Sequence, residues 1–172
     1  MKVAVSFLLL VLGFALIPVA TADQWNKKTV FTFSGPVEVP GMVLPAGTYV
    51  FKLLDSPAER HIVQIYNEKQ TKLYTTILAV PDYRMEPRGK TVISMYERPT
   101  GSPEALHAWF YPGDNFGHEF VFTMTQARDI AKQTNEHVLY VRGDNGDLTK
   151  GEIRVMEPSG QEIDLSEGHK HR

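Results

Sequence analysis

Apolar residues fall in three patterns along this chain: one unbroken run near the start, a series of short alternating segments, and one segment at helical spacing. The alternating segments dominate. Lys28 to Ser34 sets Val30, Phe31 and Phe33 among threonines and reads as a strand. Val37 to Val39 runs into the turn pair Pro40-Gly41 and on to Met42–Leu44, a hairpin pattern. A second turn, Pro45-Ala46-Gly47, leads into a strand over Thr48–Leu54. His61–Tyr66 and Lys72–Val80 continue the series, with Pro81 expected to end the latter and Asp82 to Gly89 expected to be a polar connection.

Thr91–Tyr96, Ala105–Tyr111 and His118–Thr123 complete the set before the pattern changes period. Thr123-Met124-Thr125-Gln126 has the spacing of a capping box, and Ala127, Ile130, Ala131 and Thr134 then fall on one face. A short helix near residues 125–135 is expected, packed across an open end of the sheets. His137–Val141 reads as the last core strand. Residues 142–172 read as a polar linker, with room for a hairpin about Pro158-Ser159-Gly160 and a disordered tail from Ser166. Short strands at spacings of roughly ten residues predict a mostly-β fold, an antiparallel sandwich or barrel-like domain with one short helix.

The unbroken run changes the picture of where the chain works. Met1-Lys2 is followed by apolar Val3–Ala20, with Pro18 near its end and Ala20-Thr21-Ala22 after it. That is the layout of a signal peptide, 1–22, cleaved at a small-residue site, and it leaves a β-domain over 23–141 followed by the 142–172 segment. The alternative is a retained membrane anchor, which Pro18 and the small-residue site disfavour. Export to the periplasm or the cell exterior is the expectation, with no membrane span after cleavage.

The chain has 172 residues, no cysteine and a net charge of −2, which becomes −3 once Lys2 is removed. A domain of that size buries enough surface to fold without disulfides. An exported chain without cysteine points to the bacterial envelope, and the missing cysteine excludes a lipid anchor attached through one. The charge gives no reason to expect a nucleic-acid partner.

Several segments, Trp25–Thr29, Gly35–Gly41, Leu44–Leu53, Ile77–Arg84, Glu97–Pro99 and, most closely, Pro103–Leu106 with Trp109-Phe110-Tyr111-Pro112-Gly113-Asp114-Asn115-Phe116-Gly117, are similar to an uncharacterised family of exported bacterial proteins. The resemblance fades after Val141. It implies export and a β-rich domain, and it carries no established activity.

The richest chemistry lies in His107 to Glu119. Alternation along a strand would put His107, Trp109 and Tyr111 on one face and Leu106, Ala108 and Phe110 on the other, facing the core. The first set, with Asp114, Asn115 and His118 alongside, would present rings for stacking and polar groups for hydroxyls. A glycan or peptide site needs that combination. The competing expectation is that Trp109 and Tyr111 simply pack in the core.

Other constellations carry less. His107, His118 and Glu119 lack the tight ligand spacing usual for zinc, and His169 with His171 could hold a metal only loosely. Carboxylate pairs Asp82/Glu86 and Glu97/Glu104 are unspecific, and Asp144–Asp147 lacks the ligand alternation of a calcium loop. No nucleophile elbow occurs. No cofactor is implied. The expected function is a non-enzymatic exported binding module for a glycan or peptide. The first alternative is a structural or interaction protein of the envelope, and the second an enzyme using a His107/His118 cleft.

Overall fold

A computed structural model describes residues 27–54, 61–83, 86, 89–143 and 151–168. In chain order the strands are β1 (Lys28–Phe33), β2 (Val37–Val39), β3 (Met42–Leu44), β4 (Gly47–Leu53), β5 (Ile62–Asn67), β6 (Leu73–Tyr83), β7 (Val92–Tyr96), β8 (Glu104–Phe110), β9 (Phe116–Phe120) and β10 (Phe122–Thr123). Helix α1 (Met124–Thr134) follows, then β11 (Val138–Arg142), β12 (Glu152–Met156), β13 (Glu162–Asp164) and a helical turn α2 (Leu165–Gly168). They form a mostly-β, sandwich-like fold of two sheets with a short helix.

The larger sheet runs β1-β4-β5-β6-β9-β8-β2-β3, with β7 also on β8, and the smaller runs β10-β11-β12-β13. Two turns in the larger sheet follow from local chemistry. Pro40-Gly41 closes the β2–β3 hairpin between paired Val39 and Met42, and Gly41 takes φ +83, a region that suits a residue without Cβ. After β3, the Tyr49 hydroxyl donates to the Pro45 carbonyl at 2.8 Å and ties the second turn to β4.

Strand β6 joins the two halves of the larger sheet. Its first part pairs with β5 as far as Leu78, and its second part pairs with β9 from Ala79 onward. Pro81 was expected to end this strand, but β6 continues through it to Tyr83, with Pro81 opposite His118. The Ala79 amide makes a bond of 2.8 Å to the His61 carbonyl, so two residues later the proline nitrogen faces the flank that β5 has already left. A proline there forfeits no ladder bond.

The segment expected as one strand over His118–Thr123 is split. Val121 still bonds back to Leu78 at 3.0 Å, whereas Phe122 pairs in parallel with Tyr140 of the smaller sheet. The chain therefore changes sheets at Val121. Thr123 caps α1 by accepting from the Gln126 amide, and Asn135 closes it in the left-handed conformation at φ 59. Rather than spanning an open end, α1 lies against the smaller sheet, touching β10, β11 and β12.

Two buried clusters hold the layers together. The larger gathers Phe51, Ile65, Tyr96, Leu106, Trp109 and Phe120 with Ala127, Ile130 and Met156 from the helix side. The smaller, Val80, Val121, Leu139, Val141, Val155 and Ile163, seats the smaller sheet on β6. Polar side chains fasten the helix to the hairpin. Arg98 donates to Glu38, to the Pro103 carbonyl at 3.3 Å and to Gln133 at 2.8 Å, and Gln126 donates to Glu38 at 2.9 Å.

The sequence reading begins a disordered tail at Ser166; Leu165–Gly168 is a helical turn, and residues 169–172 lie outside the described ones. The β12 strand pairs with β11 and with β13, so the hairpin about Pro158–Gly160 belongs to the smaller sheet. No helix among the described residues is long and apolar enough to cross a membrane.

Candidate functional site

The expected outward row of His107, Trp109 and Tyr111 does not form, because β8 carries an extra residue. Ser94 sits opposite Ala108 and Met95 opposite Leu106, which leaves His107 as a β-bulge between them. Beyond the bulge the faces exchange. Trp109 joins Leu106 in the core and is 0% exposed, while Phe110 is also buried. Both faces of β8 are covered, so alternation could not tell inside from outside.

The two histidines are turned apart. His118 and Glu119 are successive residues of β9 and point to opposite faces. His107 lies 3.4 Å from the Glu119 carboxylate, and its ring sits tilted beside Tyr96 with centroids 4.4 Å apart. His118 is directly opposite Trp109, with ring centroids 5.6 Å apart, and lies 5.9 Å from the His61 ring. A shared His107/His118 cleft is absent. Among the described residues no three groups of metal-ligating type lie together, and His169 and His171 fall outside those residues.

Two of the expected residues, Tyr111 and Asp114, meet at the start of β9. Tyr111 and Asp114 lie in the connection after β8, where Pro112-Gly113 makes the turn with Gly113 at φ +81 and the Asp114 amide bonds to the Tyr111 carbonyl at 3.3 Å. Lys27, immediately before β1, forms an ion pair with Asp114 and lies 5.4 Å from the Tyr111 ring and 4.6 Å from the Phe116 ring. This cation between two rings and a carboxylate is nearly buried, and burial lowers its pKa below the usual lysine range. Asn115 is exposed beside it.

His118 sits beneath this group, 3% exposed. Burial, then the nearby His61 and Lys27, push its pKa down to about 3, so it is a neutral imidazole under ordinary conditions.

The row of rings that the sequence suggested therefore runs out of the core instead of lying flat on the surface. Trp109 and His118 are its buried end. Tyr111 is half-buried, and Phe116 is 36% exposed. Phe116 pairs directly with Tyr83, which is 75% exposed at the end of β6. Sequence reasoning missed Lys27, Tyr83 and Phe116. Tyr83 fell in what read as a connection after Pro81, and Lys27 acquires its role only from Asp114, 87 positions away.

Fold and site together define a two-sheet β-domain whose aromatic row emerges at one end beside an ion pair. Compared with known proteins, the chain has no significant match to a family model, a curated protein or a solved structure.

Proposed function

We propose that this chain is an exported, non-enzymatic binding module, periplasmic or extracellular, that recognises a glycan through the rim formed by Tyr83, Phe116 and Tyr111. The observation carrying this reading is the exposed cross-strand pair Tyr83–Phe116 at the mouth of an otherwise buried aromatic row. Their side chains stand on one face of neighbouring strands, so each exposed ring can stack on a sugar unit. Asp114 and Asn115 beside them supply a carboxylate and an amide for sugar hydroxyls. The Lys27–Asp114 pair fixes the loop that carries Tyr111, so little ordering remains to be done on binding.

The non-enzymatic part of the reading is supported by His107 and His118, which an acid–base mechanism would need in one cleft and which face opposite ways. Isothermal titration with neutral hexasaccharides, cellohexaose and hexa-N-acetylchitohexaose, tests the proposal. Saturable binding that weakens at least about tenfold on Tyr83→Ala is expected. Binding unaffected by that change would overturn the assignment of the rim.

A second reading, an interaction protein of the envelope, is favoured by one feature. Strand β1 is the terminal strand of the larger sheet and exposes Val30 at 55%. Such an edge can accept a strand from a partner protein. Self-association or co-purification that is lost on Val30→Lys would support it.

A further inference from the structure

A cleft of about 360 Å³ lies at the opposite end of the larger sheet from the rim. Thr32, Phe33, Ser34, Gly35, Pro36 and Val37 form one side and Ser102, Pro103 and Glu104 the other. Strand β8 runs seven residues from Glu104 here to Phe110 near the rim, so the two places are roughly 20 Å apart. The volume falls within the range of small-molecule sites.

Both walls are built before any ligand arrives. Phe33 is held among Phe31, Tyr49 and Phe51, with ring centroids 6.2, 6.1 and 6.3 Å away. Across the cleft, the Pro103 carbonyl accepts from the nearly buried Arg98, and Glu104 pairs in register with Val37 of β2. Thr32 shares a hydroxyl bond of 3.0 Å with Thr48.

The Glu104 carboxylate and the hydroxyls of Ser34 and Ser102 make no hydrogen bond or ion pair with other described residues. Among the described residues Glu104 is the one ionisable group lining the cleft. No described lysine or arginine lines the cleft, and Arg98, which reaches the Pro103 carbonyl beside it, is ion-paired with Glu38. An anionic ligand is disfavoured, and a cationic one is drawn in.

We propose that this cleft is a binding site for an amine-bearing saccharide unit such as glucosamine, with Glu104 pairing the ammonium, Ser34 and Ser102 bonding ring hydroxyls, and Phe33 flooring the sugar ring. A lysine-bearing peptide would share the ammonium. However, the cleft is bounded by the turns at Ser34–Pro36 and Ser102–Pro103, and prolines 36 and 103 have no N–H to offer an extended main chain. The compact, hydroxyl-lined space favours the sugar.

The site is independent of the rim, and the test keeps them apart. The probe is the glucosamine disaccharide, titrated calorimetrically at pH 7 against proteins that all carry Tyr83→Ala to remove the rim: that variant alone, and with Glu104→Gln or Gly35→Trp added. The Gly35 position has no positive φ and an added Cβ there meets nothing within 4 Å, so a large side chain can be introduced in the cleft lining without a clash at its root. Saturable binding to the Tyr83→Ala protein is expected, weakened at least about tenfold by adding Glu104→Gln or Gly35→Trp. The di-N-acetylated disaccharide, which lacks the ammonium, should bind as poorly as the amine does to Glu104→Gln. Melting curves confirm that each variant is folded, and Glu104→Gln decides the matter alone if Gly35→Trp is not. Absence of saturable binding, binding that survives both cleft variants, or tighter binding of a trilysine peptide at the same site would each overturn the proposal.

Discussion

Trp109 and His118 face each other directly across β8 and β9, both inside the core, with ring centroids 5.6 Å apart. This pairing turns the most conspicuous aromatic of the sequence from a surface residue into a packing element. It also places a titratable ring where water does not reach. Its first consequence is optical. With Trp25 replaced by phenylalanine, Trp109 fluorescence should resist quenching by iodide and emit at short wavelength. Trp109→Ala should cost about 3–5 kcal/mol in denaturant unfolding, the usual range for a buried aromatic.

Acid should find His118 early. Its folded pKa is depressed to about 3 from an ordinary value of 6.5. Below pH 6.5 the unfolded chain therefore takes up a proton that the folded one refuses. Stability contributed by the neutral ring is full above pH 6.5 and is lost as pH falls through 3, by roughly 5 kcal/mol at the limit. In His118→Phe the decline between pH 6.5 and 4.5 should be visibly shallower, measured by urea midpoints at each pH. Equal slopes for the two proteins would contradict the assignment.

The Arg98–Glu38 pair predicts a different response. Both side chains are largely buried, at 6% and 13% exposure, and Glu38 also accepts from Gln126 on α1. Arg98→Met leaves that carboxylate without its cation and should destabilise by about 3 kcal/mol. Replacing Arg98 and Glu38 together, by Met and Gln, should recover part of the loss in a double-mutant comparison.

Gly117 is a steric prediction. It pairs with Phe110, whose ring a new Cβ would approach at 2.6 Å. Gly117→Ala should therefore cost about 1–3 kcal/mol through overpacking, and Phe110→Leu in the same chain should relieve part of it.

What could be read from the sequence was whatever is decided locally. Pro40-Gly41 announced the β2–β3 hairpin, and the Thr123 cap with Ala127, Ile130 and Ala131 announced α1 within a residue. The mostly-β fold followed from the spacing of the short strands. The misreadings have a common cause, which is that a neighbouring strand rather than the local sequence decides. Pro81 looked like a terminator, yet its nitrogen is harmless because β5 has already departed on that side. The bulge at His107 exists only relative to β7, and it exchanged the faces of everything after it. Tyr111, Asp114 and His118 are close enough along the chain for the sequence to group them. Lys27, which knits Tyr111 and Asp114 to Phe116, gave no local sign, because its partners lie more than eighty positions along the chain.

The central claim is that recognition occurs at the emergent end of the aromatic row and not at Trp109. The most direct test is to map amide chemical shifts of the isotope-labelled protein during titration with cellohexaose and hexa-N-acetylchitohexaose. The account predicts saturable shifts clustered at Tyr83, Tyr111, Asp114 and Phe116, lost in the Tyr83→Ala/Phe116→Ala double variant and retained in Trp109→Phe. Shifts confined to another surface, or none with either sugar, would contradict it.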